Sequence, residues 1–424
     1  MSEAMTTDPT ELGEYRARAE AWAAEHLERR SGRELRVAHE VTPEELAAGR
    51  ALQAAVHAAG YMGITVPVEY GGAGLTKEHQ RIWSEVSAPY VLPAPGGIAT
   101  GVTLSLIMPV VLAHGTEEQK RAWVPKILSG EEIWCQLLSE PGAGSDLAGL
   151  LTRATKDGEE WILNGTKLWS SGAMTADYGI CLARTNWDVP KHRGLTWFKV
   201  PLRHPNVTVR AVREINGSAE FCEEFLDDVV VGSDQVIGEI DGGWPIANFM
   251  LTLERGGGGA HDGASAEPTR RKLAPDLVAL AEERGTLEDT ATRQLIARAQ
   301  IADFALEALA TRMMTAMRLG TLDASAASLI KLGRGLHDPE RAQLAMEIGG
   351  AGSIAWAPSD VEGSGEAVNF LNGRIWSIAG GSNQIQRNIV SERMLGLPRE
   401  ISVDSDKAFS ETLADAKRWG QSRG

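Results

Sequence analysis

Trp161-Ile-Leu-Asn-Gly-Thr-Lys-Leu-Trp169 decides the fold class. Its residues alternate with the two-residue period of a strand, and the Asn-Gly pair inside it carries the signal of a tight turn. Further β-rich runs follow at Gly194–Val200, Val207–Val212 and Val229–Val231. Strands this short, separated by Gly, Asn, Asp and Pro, predict an antiparallel barrel or sandwich from Trp134 to about Ile240.

On both sides of this unit the period becomes helical. Leu12, Tyr15, Ala19 and Trp22 recur at helical spacing, as do Leu52, Val56 and Ala59. Thr42, Pro43 and Glu45 spell a capped helix start, and Thr116 opens a helix that ends near Gly130. After Trp244, helices are expected over Leu273–Glu283, Thr290–Met317, Ala324–Ile348, Ala367–Ile378 and Asn383–Leu397, with a polar surface tail after Pro398. The architecture is therefore α, then β, then α. The expected domains are residues 1–131 (helical), 132–241 (β-barrel) and 242–424 (helical). Inserting a β unit between two helical ones makes clefts at both junctions, where cofactor sites tend to lie.

The 424 residues are 43% hydrophobic and 23% charged, ample for a large core. A net charge of -15 repels nucleic acid and anionic lipid, so neither is an expected partner. Cys135, Cys181 and Cys222 have no metal-binding spacing, the nine His are scattered, and HExxH is absent, so no metal is expected. Met1–Tyr15 carries four acids and no apolar run, which reads as a cytoplasmic chain without a leader. Between Glu85 and Glu117 there is no Asp, Glu, Lys or Arg. Pro95, Gly96, Gly97, Gly101 and Pro109 break that run below the ~20 apolar residues of a membrane span. It is expected to be a buried helix or helix pair whose Thr100, Thr103 and Ser105 line a pocket.

Four segments carry chemistry. They are Gly60–Gly74, Leu138-Ser-Glu-Pro-Gly-Ala-Gly-Ser-Asp146, Asn164-Gly-Thr-Lys-Leu-Trp-Ser-Ser-Gly172, and Ile378-Ala-Gly-Gly-Ser-Asn-Gln-Ile-Gln-Arg-Asn-Ile389. In sequence, order and spacing they resemble the acyl-CoA dehydrogenase family over nearly the whole chain. That resemblance implies an N-terminal helical domain, a middle antiparallel β-barrel, a C-terminal four-helix bundle and bound FAD.

The resemblance also assigns roles. Gln136, Leu138 and Ser139 would meet the flavin pyrimidine edge, where a hydroxyl both donates and accepts. By residue type alone, Ser139 is equally a turn residue before Glu140-Pro141. Trp169 would lie against the flavin ring, and Ser171, where Thr is more usual, would point at its N5; Trp169 read alone is a core aromatic. Ser145, in the Gly142–Asp146 turn, would contact the pantetheine–phosphate arm of CoA. Ser382 and Gln384 would hold the pyrophosphate and adenylate half of FAD at the start of a helix.

The reaction so implied removes an α-proton from a thioester while the β-hydride goes to the flavin. The resemblance places the enolate oxygen against backbone N–H groups and a ribityl hydroxyl. Many members carry the base Glu just before the Gly-Ser pair of the last motif, but Gly380 stands there. A minority, of the isovaleryl-CoA dehydrogenase type and several bacterial steroid-side-chain enzymes, carry it earlier, on a helix like Phe249-Met-Leu-Thr-Leu-Glu-Arg255. Glu254 is thus the expected base, with Arg255 beside the substrate; alone, the pair reads as a solvated helix charge pair.

Two departures from the family pattern stand out. Gly256–Gly259 would weaken the helix after Arg255 and leave room for a bulky or branched acyl chain. Thr269-Arg-Arg-Lys-Leu273 lacks the Arg-x-x-Phe-Gly that reaches a neighbouring FAD, and Glu347 replaces a usual Gln. The expected function is FAD-dependent oxidation of an acyl-CoA to its trans-2-enoyl thioester, with electrons passed to an electron-transfer flavoprotein. The expected assembly is a homodimer or homotetramer, with a heterotetramer as the variant. The alternatives are a subunit of a heteromeric dehydrogenase with an incomplete FAD site, and a flavin oxidase or monooxygenase on the same scaffold. Acyl carrier protein in place of CoA also stays open.

Overall fold

Thr42 begins its helix as expected. Its Oγ1 accepts from Glu45 N (3.2 Å) and the Glu45 carboxylate accepts from Thr42 N (2.8 Å). Thr116 and Gln119 close a second reciprocal cap, and that helix stops at Gly130, whose φ of +77° suits glycine. The computed structural model of the chain describes residues 9–30, 41–255, 274–355, 365–402 and 404–421.

The first helical part comprises α1 (Pro9–His26), α2 (Pro43–Ala58), α3 (Lys77–Ser87), α4 (Ile98–Val102), α5 (Met108–His114) and α6 (Glu117–Ser129). Between α4 and α5, Thr103–Ile107 is wound as a π-helix, so the charge-free stretch forms one rod with a widened centre. Its hydroxyls are spent on the backbone. Thr100 Oγ1 accepts from Gly96 N, Thr103 Oγ1 donates to Ala99 O and accepts from Trp134 N, and Ser105 Oγ donates to Gly101 O. Of the three, Thr103 anchors the rod to the first strand. No helix among the described residues is long and apolar enough to cross a membrane.

Eight strands follow: β1 (Trp134–Leu137), β2 (Arg153–Asp157), β3 (Glu160–Ser171), β4 (Tyr178–Arg184), β5 (Leu195–Pro201), β6 (Val207–Val212), β7 (Phe221–Gly232) and β8 (Val236–Ile237). The hydrogen-bonded order is β6-β7-β3-β2-β4-β5-β8, with β1 on β4. Most pairs are antiparallel as expected, but β1–β4 and the single β2–β4 pairing run parallel. The Asn164-Gly165 pair makes no hairpin. It is a bulge inside the continuous strand β3, where the register against β7 slips between Leu163 and Gly165. Asn164 bonds across to Asp228 through both its amide atoms, and a Cβ at Gly165 would strike Thr152. These two contacts overrule the turn signal.

Glu224, on β7, is fully buried and accepts from Ser170 Oγ on β3 (2.7 Å), while its second oxygen has no partner among the described residues. Burial pushes its carboxyl up to about 8, against the pull of Ser170 and Lys167. The native state therefore keeps a proton that the unfolded chain releases above about 4.5. Stability from this group is full below that pH and is lost as the pH rises towards 8. Glu224→Gln should match the parent's thermal midpoint at pH 5 and exceed it at pH 9. A midpoint difference that does not change with pH would refute the assignment.

The chain then returns to helices: α7 (Gly243–Arg255), α8 (Pro275–Glu283), α9 (Thr290–Arg318), α10 (Ala327–Gly349), α11 (Gly365–Asn372), α12 (Asn383–Ile389) and α13 (Phe409–Gln421). The long pair α9 and α10 forms the frame of this part, and α12 gives way to a π-helical turn at Val390–Met394. The tail is more than a polar surface segment. Phe409 is buried, stacks on Trp187 and lies with its ring centroid 3.8 Å from the guanidinium of the buried Arg184.

Candidate functional site

Glu254 lies in the last turn of α7, whose inward face is Gly243, Ile246, Ala247 and Met250. Among the described residues its carboxylate takes no hydrogen bond. It approaches the turn after α11 instead: a Cβ built on Gly380 would sit 3.3 Å from Glu254 Oε1. The carboxylate thus fills the space that a side chain at residue 380 would need. Gly380 has φ +66° and Gly381 φ +94°, and a Cβ at Gly381 would come within 2.6 Å of Gln386 Nε2, so both positions favour glycine. Burial raises the Glu254 carboxyl above the usual carboxylate range, opposed by Arg255 and Lys331. A partly desolvated carboxylate beside cations suits proton abstraction.

Arg255 is half-buried, and its Nε is buried without a partner among the described residues. Burial pulls its guanidinium down against the pull of Glu254. Gly256–Gly259 and Thr269–Leu273, on which two expectations rested, lie outside the described residues. Glu347 is exposed and accepts from Gln343 one turn earlier on α10.

Ser382 is the cap of α12, its Oγ accepting from Ile385 N (3.3 Å), and Gln384 is exposed. Nearby, Asn383 Oδ1 and Gln386 Oε1 are buried without partners among the described residues. These two orphaned atoms belong to the residues that follow the Gly380–Ser382 turn, a pattern that asks for a polar ligand.

A second group forms where β1 and β3 end. Gln136 Nε2 reaches Met250 Sδ (3.1 Å), tying β1 to the turn of α7 before Glu254. The carbonyl of Leu138 accepts from Lys167 Nζ and that of Ser139 from Leu168 N (2.9 Å), so both already serve the fold. The Ser139 hydroxyl has no partner among the described residues.

Trp169 sits at a second bulge of β3, between Leu168 and Ser170. Its φ is +69°, a left-handed conformation that costs an L-residue roughly 1–2 kcal/mol. Its ring is 54% exposed, edge-on to Phe221. The buried Ser170–Glu224 bond pins the next residue inward and holds Trp169 out. Strain of this kind persists where neighbours over-determine it. Trp169 is therefore no core aromatic. Ser171, the last residue of β3, is half-buried beside it.

The third group is the Gly142–Asp146 turn. Ser145 is exposed at its tip, and Glu140 and Ala143 bond each other's backbone at its base. Glu140 anchors it, accepting from Leu151 N, Thr152 N and Lys167 Nζ. Asp146 pairs with Lys191, which also binds Asp404 of the tail.

Lys167, Lys199 and Lys331 are buried and went unread in the sequence, although two of them had a signal. Lys167 shares parity with Trp161 and Leu163 in β3, and Lys331 shares a helix face with Ala327, Ser328 and Gly335. In each case apolar periodicity marks a charged residue as inward-facing.

Three family models match in succession: acyl-CoA dehydrogenase N-terminal domain over residues 9–131, middle domain over 135–229 and C-terminal domain over 241–395. The chain is 34% identical to acyl-CoA dehydrogenase IpdE1 of Mycobacterium tuberculosis over 405 residues, covering 92% of this chain and 99% of that protein. It is 38% identical over 294 residues to acyl-CoA dehydrogenase FadE34 of the same organism, 69% of this chain but 39% of that longer protein. The solved structure titled Tcur3481-Tcur3483 steroid ACAD superposes with a TM-score of 0.71 at 28% identity, covering 93% of this chain and 99% of that one. The ChsE4-ChsE5 complex of M. tuberculosis does so with 0.69 at 25%, covering 93% and 100%. A helical–β–helical order matched part by part, and a relative 34% identical along nearly its whole length, make the chain a member of the acyl-CoA dehydrogenase family.

Proposed function

We propose that this chain oxidises an acyl-CoA thioester to the trans-2-enoyl thioester, with Glu254 as the base. The observation that carries the reading is the approach of the Glu254 carboxylate to Gly380, the position where many members keep their base. Two solutions to one geometric problem converge on one volume. Glu254 takes the α-proton on a carboxylate oxygen, with Arg255 next to it beside the substrate. Ser145, on its exposed turn, receives the pantetheine–phosphate arm, where a Gly-rich turn leaves N–H groups open to an anion.

The residues present fit FAD. Gln136, Leu138, Ser139, Trp169 and Ser171 would hold the flavin ring, and Ser382 and Gln384 the pyrophosphate and adenylate half. The exposed Trp169 ring and the unpartnered polar atoms around Gly380–Ser382 support that fit. When bound, FAD would supply the acceptor for the β-hydride, with an electron-transfer flavoprotein as the onward acceptor.

The relatives titled steroid ACAD support a bulky, ring-bearing acyl chain as the substrate class. A heteromeric assembly is favoured as a second reading by the neighbour solved as a two-protein complex. Anaerobic titration of the FAD-loaded protein with short straight, branched and polycyclic acyl-CoAs tests the reading. Bleaching of the flavin absorbance is expected, strongest with the polycyclic thioester. Absorbance unchanged by every thioester, or turnover only with oxygen consumption and a hydroxylated product, would overturn it.

A further inference from the structure

The turn that leaves room for Glu254 also holds a lysine. Lys331, on α10, is 5% exposed, and its Cε lies 3.2 Å from the point where a Cβ on Gly380 would stand. Glu254 Oε1 lies 3.3 Å from the same point, so the lysine arm and the carboxylate converge on one volume beside Gly380. Lys331 Nζ donates to Trp376 O (2.5 Å), which fixes the arm, and no ion pair engages it among the described residues. The other charges around the pair come from three elements. Arg255 follows Glu254 on α7, Arg393 approaches from the turn after α12, and Arg334 and Asp338 lie further along α10. Asp338 is already engaged by Arg334 and His337. Lys331 and Arg255 are thus the cations turned on the carboxylate.

Neither member of such a pair is comfortable alone. Burial disfavours an isolated carboxylate and an isolated ammonium, and each keeps its charge only by virtue of the other. They are near enough for that coupling but not in ion-pair contact, which leaves the carboxylate oxygens free to take a proton. Resting on the reading of Glu254 as base, we propose that Lys331 is a positioning residue. Its ammonium, held by the Trp376 carbonyl, keeps Glu254 ionised and proton-accepting. Burial lowers the lysine while Glu254 opposes that shift, in keeping with this coupling.

The test uses the full-length FAD-loaded enzyme and its Lys331→Met, Lys331→Gln, Lys331→Arg and Glu254→Gln variants. The acyl-CoA that bleaches the parent best serves as substrate. In Lys331→Met the acid limb of the kcat profile should move up by about one pH unit, with the alkaline plateau within about threefold of the parent. Lys331→Gln, which keeps a donor for Trp376 O, should shift the limb equally, and Lys331→Arg should restore it. An independent reading is infrared titration of the Glu254 carboxyl band, identified by its loss in Glu254→Gln. That band should protonate at higher pH in Lys331→Gln than in the parent. An unmoved limb and an unmoved band, with activity still lost in Glu254→Gln, would reduce Lys331 to a structural lysine. Activity retained in Glu254→Gln would remove the base reading itself.

Discussion

Glu254→Gln should lower kcat by about three to four orders of magnitude while FAD stays bound and KM changes little. The substitution keeps shape and volume, so packing against α10 and the Gly380 turn is preserved. It removes only the oxygen that can take a proton. The parent's kcat should fall as pH drops through the raised value of this carboxyl, because a protonated base cannot act. The residual rate of the Gln variant should show no such limb. A stronger form of the prediction moves the base. In the double variant Glu254→Gly with Gly380→Glu, a carboxylate is returned to the same volume from the other side. Gly380 has φ +66°, so a side chain there costs roughly 1–2 kcal/mol. Partial recovery, about ten- to a hundredfold over Glu254→Gln, is expected. A Gln variant within tenfold of the parent would take the role away from Glu254.

The sequence exposed what local rules control. Both capping boxes are spelled by residues three apart, and the strand alternation of Trp161–Leu163 is local too. The Asn164-Gly165 pair misled because turn chemistry reports a preference of two residues. Its outcome was decided by Asp228 and Thr152, which the chain brings up from elsewhere. The site shows the same division. The family motifs pointed to Ser139, Trp169 and Ser382, and the structure adds that Ser382 caps a helix and Trp169 is strained outward. Glu254, Lys331 and Gly380 come from three segments more than forty residues apart, and no periodicity records their convergence. The docking of Phe409 on Arg184 was hidden for the same reason: a short polar tail gives no hint of its receptor.

Lys167→Met should destabilise the protein by about 3–5 kcal/mol, because it leaves a buried carboxylate without its cation. Lys167 is fully buried, and its three donors reach Glu140 Oε1 (3.0 Å), Leu138 O (3.1 Å) and Leu182 O (2.8 Å). One ammonium therefore ties the end of β1, the base of the Ser145 turn, β3 and β4. Burial alone would raise the Glu140 carboxyl, but Lys167 and the hydrogen bonds from Thr152 and Leu151 hold it below the usual range. Glu140 thus stabilises the fold above the ordinary carboxylate pKa, and that contribution is lost as the pH falls through its lower native value. Glu140→Gln in the Lys167→Met background should recover part of the loss, since an amide carries no stranded charge and still accepts from one backbone N–H. Urea unfolding of the four proteins of this cycle gives the coupling directly. The single Lys variant should also lose FAD and raise KM for acyl-CoA together, because Leu138, Ser139 and the Ser145 turn hang on the same anchor. An unchanged unfolding midpoint in Lys167→Met would mean that water replaces the ammonium, and that the two halves of the site are held independently.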